Sequence, residues 1–228
     1  WALENTVPAG IEHNDASAGV VETSPETISL DALCQRELLN SVDFIKIDVD
    51  GGDLEVLTSA EGTIARAGVL GVAIEVGYVG QADDFSNSFH NIDRRLRASG
   101  FELGNLSVWR YSKRQLPAKF KYRAVGETVS GAPLIGDAVY FRSPKPENMT
   151  TSQFSAALLK LCCLMDLFGV PDHAAQLILA NQAVIAREHI DPTMLLNLLV
   201  PYPECDTESY NQYIERFRTN IESFFPRQ

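Results

Sequence analysis

The chain has 228 residues, 45% apolar and 21% charged, proportions that belong to a globular protein and exclude low-complexity, collagen-like and wholly disordered chains. Its net charge of −11 is uneven: residues 1–80 carry 3 Lys/Arg against 14 Asp/Glu, residues 81–148 carry 11 against 7, and residues 149–228 carry 5 against 9. Phosphate backbones demand clustered Lys/Arg, so no nucleic-acid partner is expected, and no apolar run approaches the roughly 20 residues of a membrane span.

Residues 1–25 are rich in Gly, Ala, Ser, Asn and Asp and read as loop. Thr27–Ser29 is a candidate short strand and Leu30–Leu39 a short amphipathic helix. The clearest segment follows: Val42–Asp50 is β-rich, Gly51-Gly52 closes it, and Asp53–Ala67 carries apolar residues at helical spacing. Val69–Val76 is almost continuously apolar, as a parallel strand covered on both faces should be. The two strands and the helix between them have the spacing of a βαβ unit.

Phe89–Ser99 predicts a helix ended by Gly100, Phe101–Val108 a strand, and Asp137–Arg142 a further strand after a Gly/Pro-rich loop over 126–136. The fold class is therefore α/β, with a sheet ending in an antiparallel pair. Strand signals vanish after the linker Ser143-Pro144-Lys145-Pro146. Ser152–Phe168, His173–Glu188, Pro192–Leu199 and Glu208–Phe225 are helical by length and period, with Asp191-Pro192 as an N-cap and first-turn pair. Apolar residues wrap most of Phe154–Phe168, which predicts burial against the sheet domain, neighbouring helices or a second copy in a homodimer. The four cysteines, Cys34, Cys162, Cys163 and Cys205, lack C-x-x-C and zinc spacing, so they read as reduced thiols of a cytoplasmic protein.

In an open parallel sheet, ligands sit beyond the carboxyl ends of the strands. Lys46, Asp48 and Asp50 alternate toward one such end, and Glu75 has the same address on the next strand. Carboxylates there can act as a base, hold a sulfonium or ammonium cation, or share a divalent ion with Asp53. The structural alternative is that Asp50 caps the following helix while Asp53 and Glu55 suit its positive end. A charge at Asp48, within an apolar strand, needs a task or a partner. Tyr78 is placed to line the same crevice. The run Trp109–Arg123, with Trp109, Arg110 and Arg114 foremost, interleaves cations and aromatics and reads either as a glycan or anion contact or as a solvated loop. His13 and His90 are the candidate histidine bases. Dinucleotide, P-loop, zincin and hydrolase signatures are absent from the sequence.

Ser29-Leu30-Asp31-Ala32-Leu33, followed by Val42-Asp43-Phe44-Ile45-Lys46-Ile47-Asp48-Val49-Asp50-Gly51-Gly52-Asp53-Leu54-Glu55-Val56-Leu57, resembles the central pattern of the FkbM-type methyltransferases. Asp50 and Asp53 stand where that family carries glutamates, and Ser29 where it carries threonine. The resemblance runs on through Ala73-Ile74-Glu75 and Arg95–Leu103. It implies a Rossmann-like, class I fold, S-adenosylmethionine as cofactor, and methyl transfer to a hydroxyl of a sugar or secondary metabolite. Under it Asp48 lies at the cofactor and the transferred methyl, Asp50 and Glu75 orient the acceptor or an optional metal, and the acceptor is a small molecule or glycan. The family's glycine-rich cofactor loop should precede this motif by many tens of residues, so Trp1 is expected to lie inside the parent domain. The expectation is therefore residues 1–146 as the C-terminal half of a Rossmann-like methyltransferase domain and 147–228 as a helical extension. A non-catalytic α/β module with a helical docking tail, and a glycan-binding domain built on Trp109–Arg123, are the competing readings.

Overall fold

In the almost continuously apolar run at 69–76, the buried backbone polar groups must find partners inside the protein, and a strand with neighbours on both edges provides them. The computed structural model describes residues 28–81, 83–113, 116–201 and 208–220, and it divides into two units, 1–142 and 143–228. In the first, helix α1 (Leu30–Arg36) leads to strand β1 (Phe44–Ile47), helices α2 (Asp53–Ser59) and α3 (Glu61–Arg66), and strand β2 (Gly71–Gly77). Helix α4 (Phe89–Ala98) then crosses to β3 (Glu102–Leu106), the short β4 (Trp109–Tyr111) and the long β5 (Ala132–Phe141).

The sheet order is β1-β2-β5-β3, with β4 also pairing on β5. β1 and β2 are parallel, while β5 is antiparallel to both β2 and β3, so β1, β2 and β3 all run one way and β5 is inserted against them. This partly parallel sheet with helical crossovers is a mixed α/β, Rossmann-like fold. Val72, Ile74 and Val76 of β2 join Leu54, Leu57 and Ile64 of the first crossover and Ile92 and Leu96 of α4 in one core. Arg142, just past β5, donates to the carbonyls of Ile64, Val69 and Ser99 and stacks 4.5 Å above the Phe101 ring. It thereby satisfies carbonyls near the C-terminal ends of α3 and α4, where cations are favoured; burial lowers its pKa.

The single helix expected over 53–67 is two helices hinged at the fully buried Ala60. The second has no side-chain cap of its own, and Asp31 supplies one from α1: its carboxylate accepts the N–H of Gly62 at 2.9 Å and of Thr63 at 2.6 Å. Ser29 is the N-cap of α1, accepting the Ala32 N–H; it is not part of a strand, and Thr27 lies outside the described residues. Desolvation works against the Asp31 charge, but the bonds from Thr63 and Gly62 outweigh it and hold the carboxyl below its ordinary value. This contribution is present above the ordinary carboxylate range and is lost as pH falls through the lowered value. Asp31→Ala should destabilise the first unit by about 1 kcal/mol in urea unfolding at neutral pH, with a smaller difference in acid. An unchanged midpoint would remove the cap from the account.

The second unit holds α5 (Thr151–Leu167), α6 (Pro171–Ala180), α7 (Gln182–Arg187), α8 (Pro192–Leu199) and α9 (Tyr210–Thr219). Thr150 and Gln153 form a capping box that opens α5. Leu158, Leu161, Cys162 and Met165 make its buried face, whereas Leu167 is 75% exposed, so the helix is covered on one side rather than all round. The segment 173–188 is likewise divided, α6 and α7 meeting at Asn181, whose amide bonds back to the Leu177 carbonyl. Cys34 and Cys162 are buried and Cys163 is exposed, all as free thiols, with Cys205 outside the described residues. Among the described residues no helix is long and apolar enough to cross a membrane.

Candidate active site

The register of the parallel pair decides what meets at the carboxyl end of the sheet. Ile47 pairs with Ile74, so the next residues, Asp48 and Glu75, come abreast. β1 ends at Ile47, which puts Asp48 just beyond the strand and in solvent rather than within a buried run. There its carboxylate takes an ion pair from Lys46 Nζ at 2.8 Å.

The loop that follows turns sharply. Asp50 has φ of +52° and Gly51 +110°, the left-handed region that glycine tolerates and aspartate enters more readily than most residues. Asp50 does not cap α2; Gly52 occupies the N-cap position, with no side-chain bond. The turn is held by Asp53, which is fully buried. Its carboxylate accepts the N–H of Val49 and of Gly51 and the Nδ2 of Asn87, each at 3.1 Å. Asn87 in turn accepts the Leu54 N–H at 3.0 Å. So Asp53 does more than suit a positive helix end: with Asn87 it fixes the loop that presents Asp48 and Asp50.

Asp48, Asp50 and Glu75 each offer an oxygen within 4.8 Å of one another. Three oxygens that close can converge on one divalent cation, on a ligand cation, or on hydroxyl donors. Glu75 is half-buried and faces Asp137 across the β2–β5 ladder. Burial first, then the charges of Asp53, Asp48, Asp50 and Asp137, push its pKa above the ordinary carboxylate value. Such a carboxylate binds a proton more strongly than its neighbours' environment-free counterparts do, which is the property of a base set to receive one.

Tyr78 lies one residue past β2, its hydroxyl donating to the Ser107 carbonyl at 3.0 Å, and its pKa is raised by burial and by Asp137. Its ring sits 5.8 Å from that of Phe89. Gly77, Tyr78, Ser88, Phe89 and His90 line a cavity of about 230 Å³. A side chain at Gly77 would meet the Asn87 carbonyl oxygen at 2.8 Å, so glycine allows this loop to close on the strand. Trp109 and Gly77 both pair with Ile135 of β5, one on either side, which brings β4 to the same end of the sheet. Arg110 is exposed there and donates to the Gly131 carbonyl at 3.2 Å. Arg114 and His13 lie outside the described residues.

Two residues of this site escape sequence reasoning. Asp137 carried a signal, as a charge in an otherwise apolar strand. Asn87, in a polar loop, carried none, since its role depends on a partner 34 positions away.

Residues 4–103 match the family model described as the methyltransferase FkbM domain. The matched segment includes Asp48, Asp50, Asp53, Glu75, Tyr78 and Asn87, and it stops short of Trp109, Asp137 and the helical unit. No curated protein and no solved structure matches the chain.

Proposed function

From an FkbM methyltransferase domain over residues 4–103, we propose that the protein takes part in S-adenosylmethionine-dependent methylation of a hydroxyl oxygen on a small molecule or glycan. The observation that carries this reading is the carboxylate trio at the carboxyl ends of two parallel strands, with one member, Glu75, raised in pKa. The donor set fits the cofactor: its sulfonium is a cation, and Asp48, Asp50, Glu75 and Asp137 make this end of the sheet strongly anionic. When bound, S-adenosylmethionine supplies a methyl group on a cationic sulfur, open to attack by oxygen.

Asp48 is the carboxylate assigned to the cofactor, since it is exposed at the strand end with Lys46 fixing its direction. Asp50 accepts the acceptor's hydroxyl or a neighbouring one. Glu75 would take the proton that the acceptor hydroxyl gives up when its oxygen gains the methyl group that S-adenosylmethionine would supply. Tyr78 and Phe89 wall the small cavity past the end of β2, which has room for part of an acceptor. Trp109 and Arg110 form the outer contact. Asp53 and Asn87 touch neither partner and act as positioning residues.

The test is transfer of an isotopically labelled methyl group from S-adenosylmethionine to a panel of glycosides and secondary-metabolite alcohols, read by mass spectrometry. An O-methylated product is expected. Methylation only of amines or carboxylates, with every alcohol untouched, would overturn the hydroxyl assignment.

A further inference from the structure

The helical unit holds a cavity of its own. It has a volume of about 660 Å³ and is walled by Ala175 and Leu179 of α6, Leu196 and Leu199 of α8, and Tyr213 and Ile214 of α9. That size falls in the range of pockets that enclose drug-sized ligands, roughly 300–1,000 Å³. We propose that this cleft is a second binding site, for a largely apolar small molecule whose polar end is neutral or cationic.

Two observations choose the occupant. The first is shape. Among the large apolar and tyrosine side chains of the lining only Leu179 is strongly exposed, at 42%, whereas the more exposed Met194 and Leu198 of α8 do not line it. The apolar surface is thus gathered inside a concavity and not spread over a flat face, as a protein partner would need. The second is charge. Among the described residues no Lys, Arg or His lines the cleft; its one carboxylic acid is Asp172, which pairs at 3.2 Å with His173 outside the lining, and Gln176 adds an amide. The nearby Arg216 is committed to Glu208, at 2.7 Å, and residues 149–228 are net acidic, with 9 Asp/Glu against 5 Lys/Arg. A fatty acid or lipid phosphate would therefore bring its anion to a wall without a counter-charge, while an alcohol or amine would meet a carboxylate and an amide.

The experiment is a titration of the full chain with the neutral fluorophore N-phenyl-1-naphthylamine, followed by displacement with decanol, decylamine and decanoate. Saturable binding at one site is expected, with decanol and decylamine displacing the fluorophore at concentrations at least about tenfold below decanoate, the factor that 1.4 kcal/mol represents. Ala175→Trp fills the cleft and should weaken fluorophore binding at least about tenfold at unchanged helical circular dichroism. Should that variant fail to fold, Asp172→Lys serves instead: the site is 80% exposed, and the change should bring decanoate level with decylamine. No saturable binding, equal displacement by all three, or indifference to Asp172→Lys would overturn the proposal. So would a dimer in sedimentation that excludes the fluorophore until dissociated, since the occupant would then be a second copy.

Discussion

Asp53→Ala should destabilise the sheet unit by about 3 kcal/mol, the scale of removing a buried charged acceptor and leaving its donors unpaired. The Val49 and Gly51 N–H groups and the Asn87 amide all lose their partner at once. Solvent reaches this pocket poorly, because Asp53 itself is fully buried. Asn87→Ala should cost less, about 1–2 kcal/mol, as it removes one bond to Asp53 and one from Leu54. Because the two side chains share a bond, the double variant should be more stable than the sum of the single losses by about 1 kcal/mol. Urea unfolding followed by tryptophan fluorescence, to which Trp109 on β4 contributes, measures all three. Additive losses would mean that the two side chains hold the loop independently.

Glu75→Gln is expected to separate activity from stability. Loss of the proton acceptor should lower kcat by about 10² to 10⁴, the usual contribution of a general base. The same change should raise the thermal midpoint at neutral pH, because a half-buried charge facing Asp48, Asp50, Asp53 and Asp137 disappears. Relieving such repulsion commonly yields about 0.5 kcal/mol or more. The sign follows from linkage: the folded pKa of Glu75 lies above its unfolded value, so the folded protein binds the extra proton between the two. Its contribution is complete below the unfolded value and is lost as pH rises through the folded one. The glutamine variant lacks this dependence, and its advantage should shrink as the medium is acidified. For the unmodified protein, transfer should likewise fall on the acid side at a pH above that of an ordinary carboxylate. A variant less stable than the parent at neutral pH, or equally active, would contradict this assignment of charge and role.

What the sequence revealed follows from which interactions are local. The strand at 71–77 was legible because burial on both faces demands an unbroken apolar run, and the βαβ spacing placed β1 beside it. By its sequence the start of β5 reads as loop, since Pro133 and Gly136 usually break strands. Tertiary pairing overrides them: β2 ends opposite Ile135, and the β4–β5 register shifts between Trp109 and Arg110, so Pro133 sits where the ladder is already irregular. The break at Ala60 was invisible because its cause, Asp31, is 31 residues before Gly62. The same holds at the site. Asp48, Asp50 and Glu75 stand out in sequence as charges at the ends of apolar strands. The contributions of Asn87 and Asp137 arise from contacts between distant segments, and the turn that Asp53 fixes, although its bonds to Val49 and Gly51 are local, has no mark in the apolar pattern.

Cofactor recognition at the carboxylate trio is the claim on which the rest depends, and calorimetric titration of S-adenosylmethionine tests it most directly. It should be done on the chain with and without Asp48→Asn. Saturable binding is expected, weakened about tenfold or more by Asp48→Asn, the loss expected for a charged contact of about 1.4 kcal/mol. Absence of binding, or equal affinity with and without the Asp48 carboxylate, would contradict it.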